Sequence, residues 1–219
     1  MGQIRVGQMV LGPVMTNSYY IYREQTQGDT PVLLFDPPDD GERIYETFKS
    51  RGFVIRKIFL THAHFDHIGG IPGILAAAEK NGEKIPVVCP EAERALCGDP
   101  ELNCSLSMGY HAVTVEPDEW LQDGDVTECA EVTLRVIATP GHTVGSCCYY
   151  CEEAGILIAG DTLFCESVGR SDLPTGSMST LVRSIREKLF VLPDETVVLP
   201  GHGDETSIGD EKKYNPFLG

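Results

Sequence analysis

Three of the six histidines in this 219-residue chain fall within one decapeptide, Thr61 to Gly70, THAHFDHIGG. The run follows Val54 to Leu60, VIRKIFL, an apolar stretch that reads as a strand, so it begins in extended backbone. Residues two apart on an extended chain point the same way, which lets His62 and His64 grip one ion. Asp66 and His67 come after a bend and can face a second ion. Neutral imidazole with carboxylate suits zinc, iron or manganese. The helical zinc-protease pattern, two histidines four apart around a glutamate, is absent.

The same grammar recurs three times further along the chain. His142 lies in TPGHTVGS (Thr139 to Ser146), Asp161 in IAGDTLF (Ile158 to Phe164) and His202 in VLPGHG (Val198 to Gly203). Each time an apolar strand meets a small residue or a turn, and then a His or an Asp. A sheet edge collects ligands from distant parts of a chain in this way. Five of the six histidines occupy such places. The sixth, His111, sits in a weakly patterned polar segment and reads as a surface or structural residue.

The elements that must carry these residues alternate. Strands are expected at Ile4 to Leu11, Ser18 to Tyr22, Val32 to Asp36, Val54 to Leu60, Pro86 to Cys89, Val132 to Ala138, Cys147 to Cys151, Ile156 to Ala159 and Thr196 to Leu199. Helices are expected at Asp40 to Arg51, Ile71 to Lys80, Glu91 to Cys97 and Met178 to Leu189, the last with Leu181, Ile185 and Leu189 spaced by four. Asp99 to Glu131 has no clear period and reads as a lid or a connection. No repeat or long linker divides the chain, so one α/β domain over residues 1–219 is expected. The early run of adjacent strands points to mixed rather than parallel sheets.

Hydrophobic residues make up 42% and aromatics 8%, a globular composition. Asp and Glu number 33 against 17 Lys and Arg, a formal charge of −16. Such a surface repels phosphate backbones and anionic membranes, so a small-molecule substrate is expected, with no nucleic acid and no membrane partner. The first residues lack the apolar core of a secretion signal, and a cytoplasmic protein is expected. The eight cysteines are then expected to be reduced thiols. Cys148 and Cys151 form a C-x-x-C inside a strand, where positions three apart face opposite sides.

THAHFDHIGG, TPGHTVGS, GDTLF and PGHG, in this order and spacing, resemble the metallo-β-lactamase superfamily over nearly the whole chain. Gly169 to Gly176, GRSDLPTG, and the ending PGHGDETSIGDEKKYNPF resemble the short glyoxalase II-like hydrolases within it. The resemblance implies an αββα sandwich with the site at one edge between two β-sheets. It implies two divalent metal ions, zinc in the first instance, with iron or manganese as alternatives. His62, His64 and His142 would hold one, Asp66, His67 and His202 the other, and Asp161 would bridge them. Asp36, in LLFDPPDD, would support a metal-bound histidine, and Arg170 and Ser171 would line the substrate mouth.

The activity so implied is hydrolysis of thioesters by a metal-bound hydroxide, as in hydroxyacylglutathione hydrolases, with Asp66 orienting the nucleophile. Full-length glyoxalase II carries a helical C-terminal domain that helps hold glutathione. Only 17 residues follow His202, so modest selectivity for the thiol is expected. The alternatives are a persulfide dioxygenase with a single iron and, in a different class, a non-catalytic metal-binding protein. A structural zinc site closes with four ligands, which seven candidate ligands exceed.

Overall fold

Burial with a period of two sorts the strand residues into layers. On the third strand Val32 and Leu34 pack into one core, while Leu33 and Phe35 pack into another. The same alternation places Cys147, Tyr149 and Cys151 in the central core and Cys148 and Tyr150 in an outer one. Side chains on successive strand residues leave opposite faces, so each strand serves two cores at once.

The computed structural model describes residues 2–219. Its first sheet holds β1 (Ile4–Leu11), β2 (Thr16–Arg23), β3 (Thr30–Phe35), β4 (Phe53–Phe59), β5 (Val87–Pro90) and β6 (Glu119–Leu121), in that spatial order. The first three strands run antiparallel, and β3 to β6 pair in parallel. The second sheet begins with β7 (Val126–Cys129), β8 (Val132–Ala138), β9 (Cys147–Cys151) and β10 (Ile156–Gly160). A two-stranded hairpin, β11 (Leu163–Phe164) with β12 (Ser167–Val168), precedes its last strands, β13 (Val197–Pro200) and β14 (Thr206–Ser207). Here β10 and β13 are parallel and the remaining pairs antiparallel, so both sheets are mixed.

The central core lies between the sheets and contains Tyr19, Phe35, Phe59, Tyr149 and Ile158. Helices α1 (Gly41–Ser50), α2 (Phe65–Ile68), α3 (Ile71–Lys80) and α4 (Arg94–Gly98) follow strands of the first sheet. Ile44, Phe48, Ile74 and Leu96 from α1, α3 and α4 cover its outer face. Helices α5 (Met178–Ser184) and α6 (Ile208–Tyr214) belong to the second sheet, whose outer face is covered by Leu181, Ile185, Leu189 and Ile208. The result is the expected αββα sandwich. No helix among the described residues is long and apolar enough to cross a membrane.

One expected element divides. Met178 to Leu189 is not a uniform α-helix: it is α-helical through Ser184 and then widens into a π-turn, Ile185–Leu189. A stripe with an apolar residue every fourth position drifts around a 3.6-residue helix. The wider turn brings Ile185 and Leu189 back onto the line of Leu181, and all three are fully buried.

Candidate metal centre

Four strands of two sheets end at the same place. Beyond β4 come His62, His64, Asp66 and His67. Beyond β8 comes His142, beyond β10 Asp161, and beyond β13 His202. The structure brings all seven side chains together, in three overlapping groups with ligand atoms within 4.8 Å of one another: His62, His64 and His142; His62, His67 and Asp161; Asp66, His67 and His202.

Asp161 touches both ends of the cluster. Its Oδ2 lies 3.5 Å from His142 Nε2 and 3.5 Å from His202 Nε2, and its Oδ1 lies 3.4 Å from His67 Nε2. Asp66 Oδ2 is 3.2 Å from His202 Nε2 and 3.6 Å from His67 Nε2. Gly201 lets these groups meet. A Cβ there would stand 2.2 Å from Asp161 Oδ1, so PGHG requires its first glycine.

Surrounding residues fix which ring nitrogens face inward. His142 Nδ1 donates to the Arg170 carbonyl at 2.7 Å, which turns Nε2 towards the cluster as a lone pair. Thr61 Oγ donates to Asp36 Oδ2 at 2.7 Å and lies 3.1 Å from His62 Nδ1, which can donate to it in turn. His67 Nδ1 lies 3.1 Å from the same Asp36 oxygen, though off the line of a good hydrogen bond. The inward Nε2 atoms of His62 and His67, and Asp161 Oδ1, are buried with no hydrogen-bond partner. Orphaned acceptors converging in a buried site fit a cation in their midst.

The electrostatics agree. Burial, reinforced by the neighbouring imidazoles, pushes His62 and His64 down, so both stay neutral, the form that coordinates metal. Burial opposes ionisation of Asp66 and Asp161, but the adjoining His67 and His202 rings outweigh it and hold both carboxyls below their ordinary range. His67 moves the other way: burial lowers it, yet Asp66, Asp161 and Asp36 raise it well above the usual imidazole value. Three carboxylates around one ring make a pocket that favours positive charge.

Two residues that sequence reasoning passed over hold the site from β2. Thr16 Oγ donates to Asp66 Oδ2 at 2.8 Å. Asn17 Nδ2 donates to the Pro200 and Gly203 carbonyls, both at 2.9 Å, and the Asn17 amide donates to Gly201 at 2.7 Å. The only signal in the sequence is a polar Thr-Asn-Ser triplet opening an otherwise apolar strand.

A cavity of ≈140 Å³ opens over the cluster between Val14, Phe65, Met108 and Leu173, with Cys104 and Arg170 also in its wall. The Arg170 guanidinium is clamped by Asp172 through two contacts of 2.8 Å. Ser171 is not among the lining residues. A second cavity, of ≈270 Å³, starts at Phe65 and Asp66 and runs past Pro13, Tyr110 and Val113. His111 lines this second cavity and stands outside the seven-residue cluster. The weakly patterned stretch from Asp99 onwards thus forms walls on both sides of Phe65.

Residues 11–202 match the family model of the metallo-beta-lactamase superfamily. The chain is 38% identical to a probable metallo-hydrolase, YqgX, of Bacillus subtilis, over 96% of each chain. It is 31% identical to the hydroxyacylglutathione hydrolase GloC of Haemophilus influenzae, over 85% of this chain and 87% of that one. Among solved structures, BLEG-1 B3 metallo-beta-lactamase superposes with a TM-score of 0.86 at 36% identity, over 98% and 99% of the two chains. TTHA1623 in a di-iron-bound form superposes with a TM-score of 0.80 at 33% identity, over 97% and 100%.

Proposed function

The chain belongs to the metallo-β-lactamase superfamily, and on that premise we propose that it is a two-metal hydrolase of thioesters with an open, apolar acyl site. The observation that carries the reading is the convergence of seven His and Asp side chains, among them the Nε2 atoms of His62 and His67 and Asp161 Oδ1, which are buried without a hydrogen-bond partner. His62, His64 and His142 would hold one cation, Asp66, His67 and His202 the other, with Asp161 between them. Two cations so held supply an acidified water and an electrophile for the substrate carbonyl.

The chain's own residues then have distinct tasks. Asp66, steadied at one oxygen by Thr16, orients the attacking water and holds its hydrogen bond. His142 is kept in register by the Arg170 carbonyl and His202 by the Asn17-bound loop. Val14, Phe65, Met108 and Leu173 receive an uncharged acyl group and exclude bulk water. A thiol leaving group, with its ordinary pKa of about 8.5, departs as thiolate without a strong general acid. The likeness to GloC favours a hydroxyacyl thioester as substrate.

Arg170 is the only Lys or Arg in the wall of the cavity over the cluster, and Asp172 already neutralises it. Little charge is therefore left there to grip the carboxylates of a thiol such as glutathione. Thioesters of glutathione and of a small neutral thiol should differ by about tenfold or less in kcat/KM, roughly 1.4 kcal/mol of transition-state discrimination. The test measures metal content together with a thioester and phosphoester panel. Two metals per chain and thioester turnover are expected. A single iron that zinc or manganese cannot replace, with oxygen uptake on a persulfide, would establish the dioxygenase instead. Full metal loading without thioester turnover would remove the substrate assignment.

A further inference from the structure

Glu93 is a carboxylate with no place in the chemistry described so far. It closes the short turn Glu91–Glu93 after β5 and is fully buried. A buried carboxylate is costly unless hydrogen bonds or opposite charge compensate it. Its three donors are all neutral, and all come from the two loops that carry one half of the metal centre. Glu93 Oε2 accepts the Ala63 amide at 2.9 Å. Oε1 accepts the Thr143 hydroxyl and the Gly145 amide, each at 2.7 Å. Ala63 lies between His62 and His64, and Thr143 follows His142.

The contact is tight enough to dictate sequence. A Cβ on Gly145 would stand 2.6 Å from the Glu93 backbone nitrogen and 2.7 Å from Oε1, so the second glycine of TPGHTVGS lets the loop reach the carboxylate. The acceptor pattern is equally demanding. A glutamine that kept Oε1 on Thr143 and Gly145 would turn its NH2 against the Ala63 N–H, donor against donor. Only a carboxylate serves all three. Burial holds its carboxyl above the ordinary range, and the three hydrogen bonds offset only part of that rise.

We propose that Glu93 is the positioning residue of the His62, His64 and His142 half-site, clamping its two loops together and supplying a buried negative charge that a bound cation offsets. The inference rests on the reading that these three histidines hold a metal. It separates Glu93 from ordinary scaffold residues in one respect. A scaffold residue stabilises the metal-free and metal-loaded protein alike. Glu93 costs the metal-free protein a buried charge and stabilises the loaded one, so replacing it should act mainly on the loaded form.

The experiment compares the parent with Glu93→Gln, each stripped and reloaded with zinc. Zinc affinity is read by chelator competition, and Tm is read with and without zinc. The variant should bind zinc about 10–100-fold more weakly, as loss of groups that orient metal ligands does elsewhere. Its zinc-induced rise in Tm should shrink, while the metal-free Tm changes little. Equal Tm losses in both forms with zinc affinity kept within about twofold would overturn the proposal. Should Glu93→Gln fail to fold, Thr143→Val keeps the carboxylate and removes one donor. It should weaken zinc in the same direction by a smaller factor, and unchanged affinity would overturn the proposal there too. A parent that holds no metal would sink the metal-site reading and this inference together. A parent and a variant that hold metal equally well would sink the inference alone.

Discussion

Asp36 shows how much a single side chain carries at this site. Its backbone sits at φ 47, in the left-handed region that a non-glycine residue enters at a cost of order 1 kcal/mol or more. The conformation is held because both carboxylate oxygens are engaged: Oδ1 accepts the Thr61 amide at 2.8 Å and Oδ2 the Thr61 hydroxyl at 2.7 Å. Thr61 in turn orients His62, and Asp36 Oδ2 also faces His67, so one carboxylate steadies a ring from each half of the cluster. Asp36→Asn would set an amide NH2 against a donor and leave His67 without one of its three neighbouring charges. Zinc affinity should fall about 10–100-fold while the far-ultraviolet dichroism stays that of the parent. Chelator competition checks it, and an unchanged affinity would reduce Asp36 to a turn residue. The residue was legible only through the family resemblance, because an Asp before a Pro is by itself a turn signal.

At the scale of elements, the ligand-bearing turns depend on β2 for their support. Asn17 holds the Pro200–Gly203 loop through two side-chain bonds and is itself held by Gln8 Nε2 at 2.8 Å. Asn17→Ala removes the side-chain donor of the Gly203 carbonyl and leaves the Pro200 carbonyl with the Tyr19 hydroxyl alone, at 3.0 Å, and should cost about 1–2 kcal/mol in urea unfolding. Turnover should fall as well, because His202 rides on that loop. A stability loss without any kinetic loss would show that the loop keeps its place unaided. What the sequence disclosed follows the same division. Strands with a clean period of two and helices with strong apolar stripes were readable: α3, β8 and β9 lie where the pattern put them. The short edge strands β6 and β7 were not, since they are only three and four residues long and partly exposed, so hydrophobicity leaves no trace in them. Helix α6 went unread because its hold is polar. Glu211 accepts from Thr206, Glu166 and Asn215, none of which forms an apolar stripe. The site was more legible than its frame, because ligands must be particular residue types while a supporting hydrogen bond can come from almost any polar group.

For the molecule as a whole, the buried thiols set a limit on the alkaline side. All eight cysteines are free, and six of them are buried, three of these, Cys147, Cys148 and Cys151, in β9. Burial pushes the Cys148 thiol from 9.0 up to about 11. Its contribution to stability is complete below pH 9, where folded and unfolded chains both keep the proton. It is lost as the pH rises towards 11, because the unfolded chain ionises first. The loss from this group is about 2–3 kcal/mol. Thermal melts should show Tm falling from about pH 9 upwards, and Cys148→Ala should flatten that fall while lowering stability at neutral pH. A slope identical in parent and variant would place the alkaline weakness elsewhere. The seam between the sheets has a different consequence. Backbone and tyrosine bonds, Cys147 N to Thr61 O at 2.9 Å and Tyr149 OH to Leu60 O at 2.7 Å, fasten it beside the cluster. The cluster itself straddles it, with His64 and His142 in contact across 78 positions of chain. A cation shared by those two rings acts as a removable crosslink, closing a long loop much as a disulfide does in a secreted protein. In a cell short of metal, this chain would then lose its fastening as well as its chemistry, and proteases that sample opened molecules would remove it in proportion.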